Sequence, residues 1–292
     1  MNKSRDYQFK APALPPLYAR AIMPATGGKQ KKISASSIPA LEATLTGART
    51  DTAGLSQYRT ICGFSPSRHC PITWPHILAF PLHIRLMTDP AFPLPLLGLV
   101  HLRNSITQHR AIHQGECLDL RCRLDNATEA ERGLEFDIVT EARSSGSLVW
   151  EEYSTILFRK SNGGGNGKKS ETRKPEMLSQ QATITAPENI GRRYGRVSGD
   201  LNPIHIHAIT ARAFGFPRSI AHGMWSKARC LAHLQETGVQ LDACRVQSRF
   251  QKPLLLPGSA ILTWNSNESS RTFRLLNADA SAPHLEGLIE PL

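Results

Sequence analysis

Tyr194-Gly195-Arg196-Val197-Ser198-Gly199-Asp200 echoes an earlier stretch, Tyr58-Arg59-Thr60-Ile61-Cys62-Gly63-Phe64, with tyrosine, small residue and glycine at identical spacing. An internal repeat outranks other fold signals, because it says that one unit has been built twice. The segments downstream of the two copies are alike. After the first come a helical candidate at 75–88 and strand-like segments at 100–106, 117–124, 134–142 and 148–158. After the second come a helical candidate at 223–237 and strands at 243–250, 260–265 and 271–276. One helix and then several strands, twice over, predicts an α+β fold in which an antiparallel sheet wraps a central helix in each half.

The second helix is the better written. Met224, Trp225, Ala228, Leu231 and Ala232 fall on one stripe at helical spacing, an ordinary core face, and Gly238 stands where a left-handed cap is expected. Pro81 inside the first helix is expected to kink or interrupt it. The polar run Ser161-Asn162-Gly163-Gly164-Gly165-Asn166-Gly167-Lys168-Lys169-Ser170 reads as a linker. The chain then divides into an N-terminal extension (1–50), a first repeat (51–160), a linker (161–175) and a second repeat (176–292).

Composition narrows the class. With 292 residues, 40% hydrophobic and 20% charged, the chain can bury a substantial core. Its longest apolar run, 91–100, contains two prolines and is too short to span a bilayer. No apolar segment follows the charged N-terminus, so no secretory signal is expected. Six cysteines form no Cys-x-x-Cys pair, which argues against a disulfide framework or zinc ribbon and for a reducing cytoplasm. The net charge of +11 favours anionic partners, although much of it sits at Lys29, Lys31, Lys32, Lys168, Lys169, Arg173 and Lys174. No nucleic-acid-binding motif accompanies it, so nucleic acid is not an expected partner.

The chemistry concentrates in Ser198-Gly199-Asp200-Leu201-Asn202-Pro203-Ile204-His205, then in Gly215-Phe216-Pro217 and Ile220-Ala221-His222-Gly223-Met224. On a helix, residues five apart lie about 140° around the axis, which would keep Asp200 and His205 apart. Pro203 forbids a regular helix through the stretch and pushes Asn202 toward extended backbone. A carboxylate and an imidazole can then face each other across a turn, as general acid–base chemistry requires. The same residues also read as an ordinary turn in which Asp200 bonds backbone amides. His205, His207 and His222 have no carboxylate or cysteine at ligand spacing, so no metal is expected. His101 and His207 read as satisfied or surface histidines, and no Gly-x-Ser-x-Gly elbow is present.

The segment from Tyr194 to His205, together with Ala221-His222-Gly223-Met224, resembles the hydratase-2 motif of the MaoC-like (R)-specific enoyl-CoA hydratases and dehydratases. In the first half, Trp74-Pro75-His76-Ile77-Leu78-Ala79-Phe80-Pro81 and His101-Leu102-Arg103-Asn104-Ser105-Ile106-Thr107-Gln108-His109-Arg110 resemble the tandem type of 3-hydroxyacyl-thioester dehydratase. The similarity runs over roughly residues 55–290. It implies a tandem (double) hot-dog fold, no metal, and no cofactor beyond coenzyme A or acyl carrier protein as carrier of the substrate. The implied reaction is reversible dehydration of (3R)-hydroxyacyl thioesters to trans-2-enoyl thioesters in fatty-acid metabolism. Thioester binding without turnover, and a hot-dog thioesterase, are the alternatives.

By the same resemblance Asp200 and His205 hold the transferred water, and the Gly223 N–H binds the thioester oxygen. Asn202 orients the loop, and Ser198 and His222 stand with it around the substrate. The chain's own physics supports Gly223, since a helix N-terminus carries unpaired amides and glycine permits close approach. Arg249 and Lys252, with Arg103 and Arg110 from the first half, are candidates for carrier phosphates. The first repeat departs from the motif: Phe64 replaces the aspartate and Pro75 stands near the place of the glycine, while His69 is left without a carboxylate. It is expected to be catalytically dead and to house the acyl chain; a homodimer is left open.

Overall fold

The computed structural model describes residues 3–22, 33–159, 175–265 and 270–292. The linker expected at 161–175 lies outside the described residues except for its last position, as do the basic runs at 29–32 and 168–174. In chain order the elements are β1 (Lys3–Gln8), α1 (Leu14–Ile22), β2 (Leu41–Arg49), α2 (Ala53–Cys62), α3 (Trp74–Met87), β3 (Leu99–Gln108), β4 (Cys117–Ala130), β5 (Gly133–Ser144) and β6 (Ser147–Arg159). The second half continues with β7 (Gln180–Ala186), α4 (Ile190–Ser198), α5 (Pro203–Ile206), α6 (Ala208–Ala213), α7 (Gly223–Glu236), β8 (Cys244–Phe250), β9 (Gly258–Trp264), β10 (Arg271–Asn277) and β11 (Pro283–Pro291). No helix among the described residues is long and apolar enough to cross a membrane.

All eleven strands join one sheet in the order β1-β2-β4-β5-β6-β3-β8-β11-β10-β9-β7. Every neighbouring pair is antiparallel except β1 and β2. Read outward from the β3–β8 seam, the two halves give the same strand sequence. The α+β architecture with a sheet around a central helix in each half is therefore the tandem hot-dog arrangement. In the seam Arg103 faces Arg249 and Ile106 faces Val246.

The N-terminal boundary needs correction. Residues 41–49, read as part of an extension, form β2, which pairs with β4 and carries β1 on its outer edge. Leu41, Ala43 and Leu45 point into the core and alternate with more exposed positions, a half-buried strand pattern. Pro81 does not interrupt its helix. α3 runs unbroken through it, because Trp74, Ile77, Ala79, Leu82, Ile84 and Leu86 are buried against β2, β4 and β5.

The repeat itself is a helix end written twice. Gly63 (φ +81°) closes α2 and Gly199 (φ +79°) closes α4, both in the left-handed region that a side chain would strain. The tyrosines one turn earlier meet across the two halves, with ring centroids 6.1 Å apart. The Trp225 indole on α7 donates to the Ile61 carbonyl at 3.1 Å, and the Gln108 amide to the Leu241 carbonyl at 2.8 Å. The second central helix is thus tied to the first half, and β3 to the segment that follows that helix.

Candidate active site

Where α4 ends at Gly199, the chain folds back flat onto the helix it has just left. Two glycines permit this: a Cβ on Gly191 would lie 2.0 Å from the His205 carbonyl oxygen, and one on Gly195 2.8 Å from that of Asp200. The Ser198 hydroxyl accepts from the Asp200 N–H at 3.1 Å, so this buried serine braces the turn. Asp200 Oδ1 accepts from the Asn202 N–H at 3.2 Å, and Asn202 Oδ1 from the Ile204 N–H at 3.4 Å, capping α5. Pro203 occupies the first turn of α5, where its missing N–H costs nothing. His205 comes next on that turn, buried. Both readings of Asp200 are therefore realised: it bonds a backbone amide, and it faces an imidazole.

His205 Nδ1 lies 2.8 Å from the Ile220 carbonyl. A carbonyl can only accept, so Nδ1 carries the proton and Nε2 keeps its lone pair. The buried His222 places Nε2 3.0 Å from the Asp200 carbonyl and 3.8 Å from Asp200 Oδ2, and its ring stacks on His205 at 3.7 Å between centroids. Its Nδ1 has no hydrogen-bond partner among the described residues. Tyr194 covers the other side of His222 at 4.9 Å. Burial pushes the His205 pKa below its ordinary value, and burial together with His205 pushes that of His222 down to about 3. Burial alone would raise the Asp200 carboxyl, but His222, His205, the Asn202 amide and His76 carry it below the ordinary aspartate value. At neutral pH the site holds a carboxylate between two neutral imidazoles. Such a site can accept a proton at two points and return it.

One residue beyond His222, Gly223 opens α7, and its N–H is one of the amides a helix cannot satisfy internally. A Cβ on Gly223 would stand 3.0 Å from the Phe250 ring, so the glycine leaves room for that ring and for a bare amide edge. A negative charge developing on an oxygen here would meet both the N–H and the positive end of the helix dipole.

Four expected phosphate contacts do not gather at this site. Phe250 turns toward Gly223, so strand alternation sends Arg249 to the opposite face of the sheet. There it faces Arg103 across the seam and lines an outer groove of about 440 Å³ with Tyr153, Gln247 and Arg274. Arg103 is paired with Glu135 at 2.6 Å, and Arg110 with Glu116 through two contacts of 2.9 Å. Lys252 is exposed just beyond β8. His69 also differs from expectation. It lies 3.6 Å from the carboxylate of Asp242, contributed by the other half, while Phe64 is buried in the core beside Tyr58.

Sequence reasoning missed a second buried polar group, on α3 and the first-half sheet. His76 Nδ1 meets Glu152 at 2.9 Å, Asn104 donates to the same carboxylate at 2.6 Å, and His83 Nε2 meets the Thr140 hydroxyl at 2.7 Å. Lys227 on α7 reaches across the seam to the Asn104 side chain and the Val246 carbonyl. Burial lowers the Lys227 pKa to about 7 and the His83 pKa to about 3. The spacing of His76 and His83, seven apart on one helix face, was the available signal. By donor type both His76–His83–Glu152 and Asp200–His205–His222 could hold a cation, each set lying within 4.8 Å. The second set corrects the expectation that no carboxylate accompanies these histidines: Asp200 does, while His207 turns away to cap α6. The hydrogen bonds above already engage a ring nitrogen of every histidine in both sets.

Known proteins resemble the chain over most of its length. A family model described as MaoC like domain matches residues 167–279. The chain is 34% identical over 243 residues to 3-hydroxyacyl-thioester dehydratase X of Mycobacterium tuberculosis, covering 83% of this chain and 86% of that one. It is 29% identical over 215 residues to a probable enoyl-CoA hydratase 2 of Dictyostelium discoideum, covering 68% and 66%. The crystal structure of HtdX from Mycobacterium tuberculosis superposes with a TM-score of 0.76 at 33% identity, over 85% of this chain and 99% of that one.

Proposed function

The chain belongs to the MaoC-like dehydratase family, and from that membership we propose that it interconverts (3R)-hydroxyacyl and trans-2-enoyl thioesters by reversible loss of water. It is a hydro-lyase of fatty-acid metabolism. The observation that carries the reading is the convergence of Asp200, His205 and His222 within 4.8 Å, beside the open helix end at Gly223. The Gly223 N–H takes the thioester oxygen, which lowers the cost of removing the proton at C2. Asp200, ionised, and His205, with its Nε2 lone pair, move that proton onto the departing hydroxyl, so no net proton is consumed. His222 and Asn202 hold the carboxylate and its loop in place. No cofactor is assigned beyond the coenzyme A or acyl carrier protein that bears the acyl group.

The first repeat is assigned no chemistry of its own, since Phe64 fills the place of Asp200 and Pro75 lacks the N–H that Gly223 provides. A cytoplasmic setting is part of the same proposal and rests on the cysteine spacing of the sequence. The test is the absorbance of crotonyl-CoA and longer enoyl-CoAs incubated with the protein. Loss of the enoyl thioester band is expected. Ligand-induced stabilisation with no absorbance change would mean binding without turnover, and release of free thiol would mean a thioesterase.

A further inference from the structure

The N-terminal segment reaches the reaction centre. β1 runs parallel to β2 along the outer edge of the first half, and α1 then crosses to the Asp200 loop of the second. There the Tyr18 hydroxyl donates to the Gly199 carbonyl at 2.9 Å and accepts from the Leu201 N–H at 3.0 Å. These two groups belong to the peptide units on either side of Asp200. A single phenol oxygen therefore bridges the backbone around the carboxylate and restrains the dihedrals that aim it. Leu14, one turn earlier on α1, presses on the same spot: a Cβ on Gly199 would stand 2.3 Å from its Cδ1. Burial, and next the Asp200 carboxylate, push the Tyr18 pKa upward, so the hydroxyl keeps its proton and remains a donor.

We propose that Tyr18 is a positioning residue for Asp200, delivered by the N-terminal segment to hold the catalytic loop from outside both repeats. The phenol itself does not touch the substrate in this role; it acts through the two peptides it bridges. The inference rests on the reading of Asp200 as a catalytic group, and the test separates the two.

The experiment is a double-mutant cycle in the full chain with Tyr18→Phe and Asp200→Asn, assayed by enoyl-CoA hydration. Phenylalanine keeps the ring packing and removes only the bridging oxygen. Tyr18→Phe is expected to lower kcat about tenfold with KM within about twofold, at an unchanged melting temperature. In the Asp200→Asn background the same substitution is expected to change the residual rate by less than about twofold, because no carboxylate is left to aim. Wild-type turnover in Tyr18→Phe, beside a crippled Asp200→Asn, would overturn the positioning role alone. An equal loss in both backgrounds would also overturn it, since Tyr18 would then act independently of Asp200. Wild-type turnover in Asp200→Asn would remove the reading of the site and this inference with it.

Discussion

Two substitutions at Gly223 separate the amide from the space around it. Alanine adds a Cβ 3.0 Å from the Phe250 ring, so the ring must yield by a few tenths of an ångström, but the N–H survives. Proline adds a Cβ in the same place and removes the N–H. The local backbone accepts proline: Gly223 is the first residue of α7, and His222 before it has φ −65°, ψ 139°, the extended region a following proline demands. Whatever Phe250 costs is shared, so the ratio of the two variants isolates the hydrogen bond and what fills its place. Loss of one oxyanion donor is worth about 3–4 kcal/mol, which puts the proline variant on the order of a hundred- to a thousandfold below alanine in kcat. Steady-state hydration of crotonyl-CoA measures the ratio, with circular dichroism and thermal melting to establish that both fold. Alanine should suffer more in KM than in kcat. A folded proline variant within about threefold of alanine in kcat would refute the amide as oxyanion donor.

Asp200→Asn and His205→Ala should each lower turnover at least about a hundredfold in folded protein, and near-wild-type hydration by either would dissolve the pair. Burial holds His205 below its ordinary value, so the acidic limb of kcat/KM should bend below about pH 6.5; a limb centred at 7 or above would contradict a neutral buried imidazole. Stability should track other buried histidines. His83, His101 and His222 are pushed to about 3, 4 and 3 in the folded chain. Below about pH 6.5 the unfolded chain binds protons that the folded one refuses, so stability should fall as pH drops from about 6.5 toward 4, each histidine adding up to about 1.4 kcal/mol per pH unit. Urea unfolding at several pH values checks this, His83→Gln should flatten the slope, and constant stability across the window would refute it.

Much of the fold was legible in the residues. The two central helices and seven of the strands could be placed from the sequence. Tyr194, Asp200, His205 and Gly223 stood out through their resemblance to the hydratase-2 motif, since on residue types alone the Asp200 stretch read equally as an ordinary turn. The turn through Asn202-Pro203 could be deduced from what proline forbids. Other features depend on contacts made far along the chain. β2, at 41–49, is interrupted by Gly47 in the left-handed region, and its alternation becomes decisive only when β4 lies beside it. Arg249 was a plausible phosphate ligand by type, but the side of the sheet it occupies is set by where Phe250 must go. His69 looked solitary because its carboxylate, Asp242, arrives from the other half. The neighbours of Glu152 come from α3, β3 and, through Asn104, α7, a meeting that no local pattern encodes.

The β3–β8 seam bears on how the chain is made. During synthesis β3 emerges long before β8, so the first half must wait with one long strand unpaired on its seam side. An open strand edge invites pairing with any other chain, and charged side chains discourage it. Arg103 on β3, with Arg245 and Arg249 on β8, places charges of that kind along both seam strands. Arg103 and Arg249 end up opposite each other, an arrangement that costs stability between like charges. Glu135 offsets part of it by binding Arg103. The edge that β3 offers until β8 arrives is thus one that carries charge.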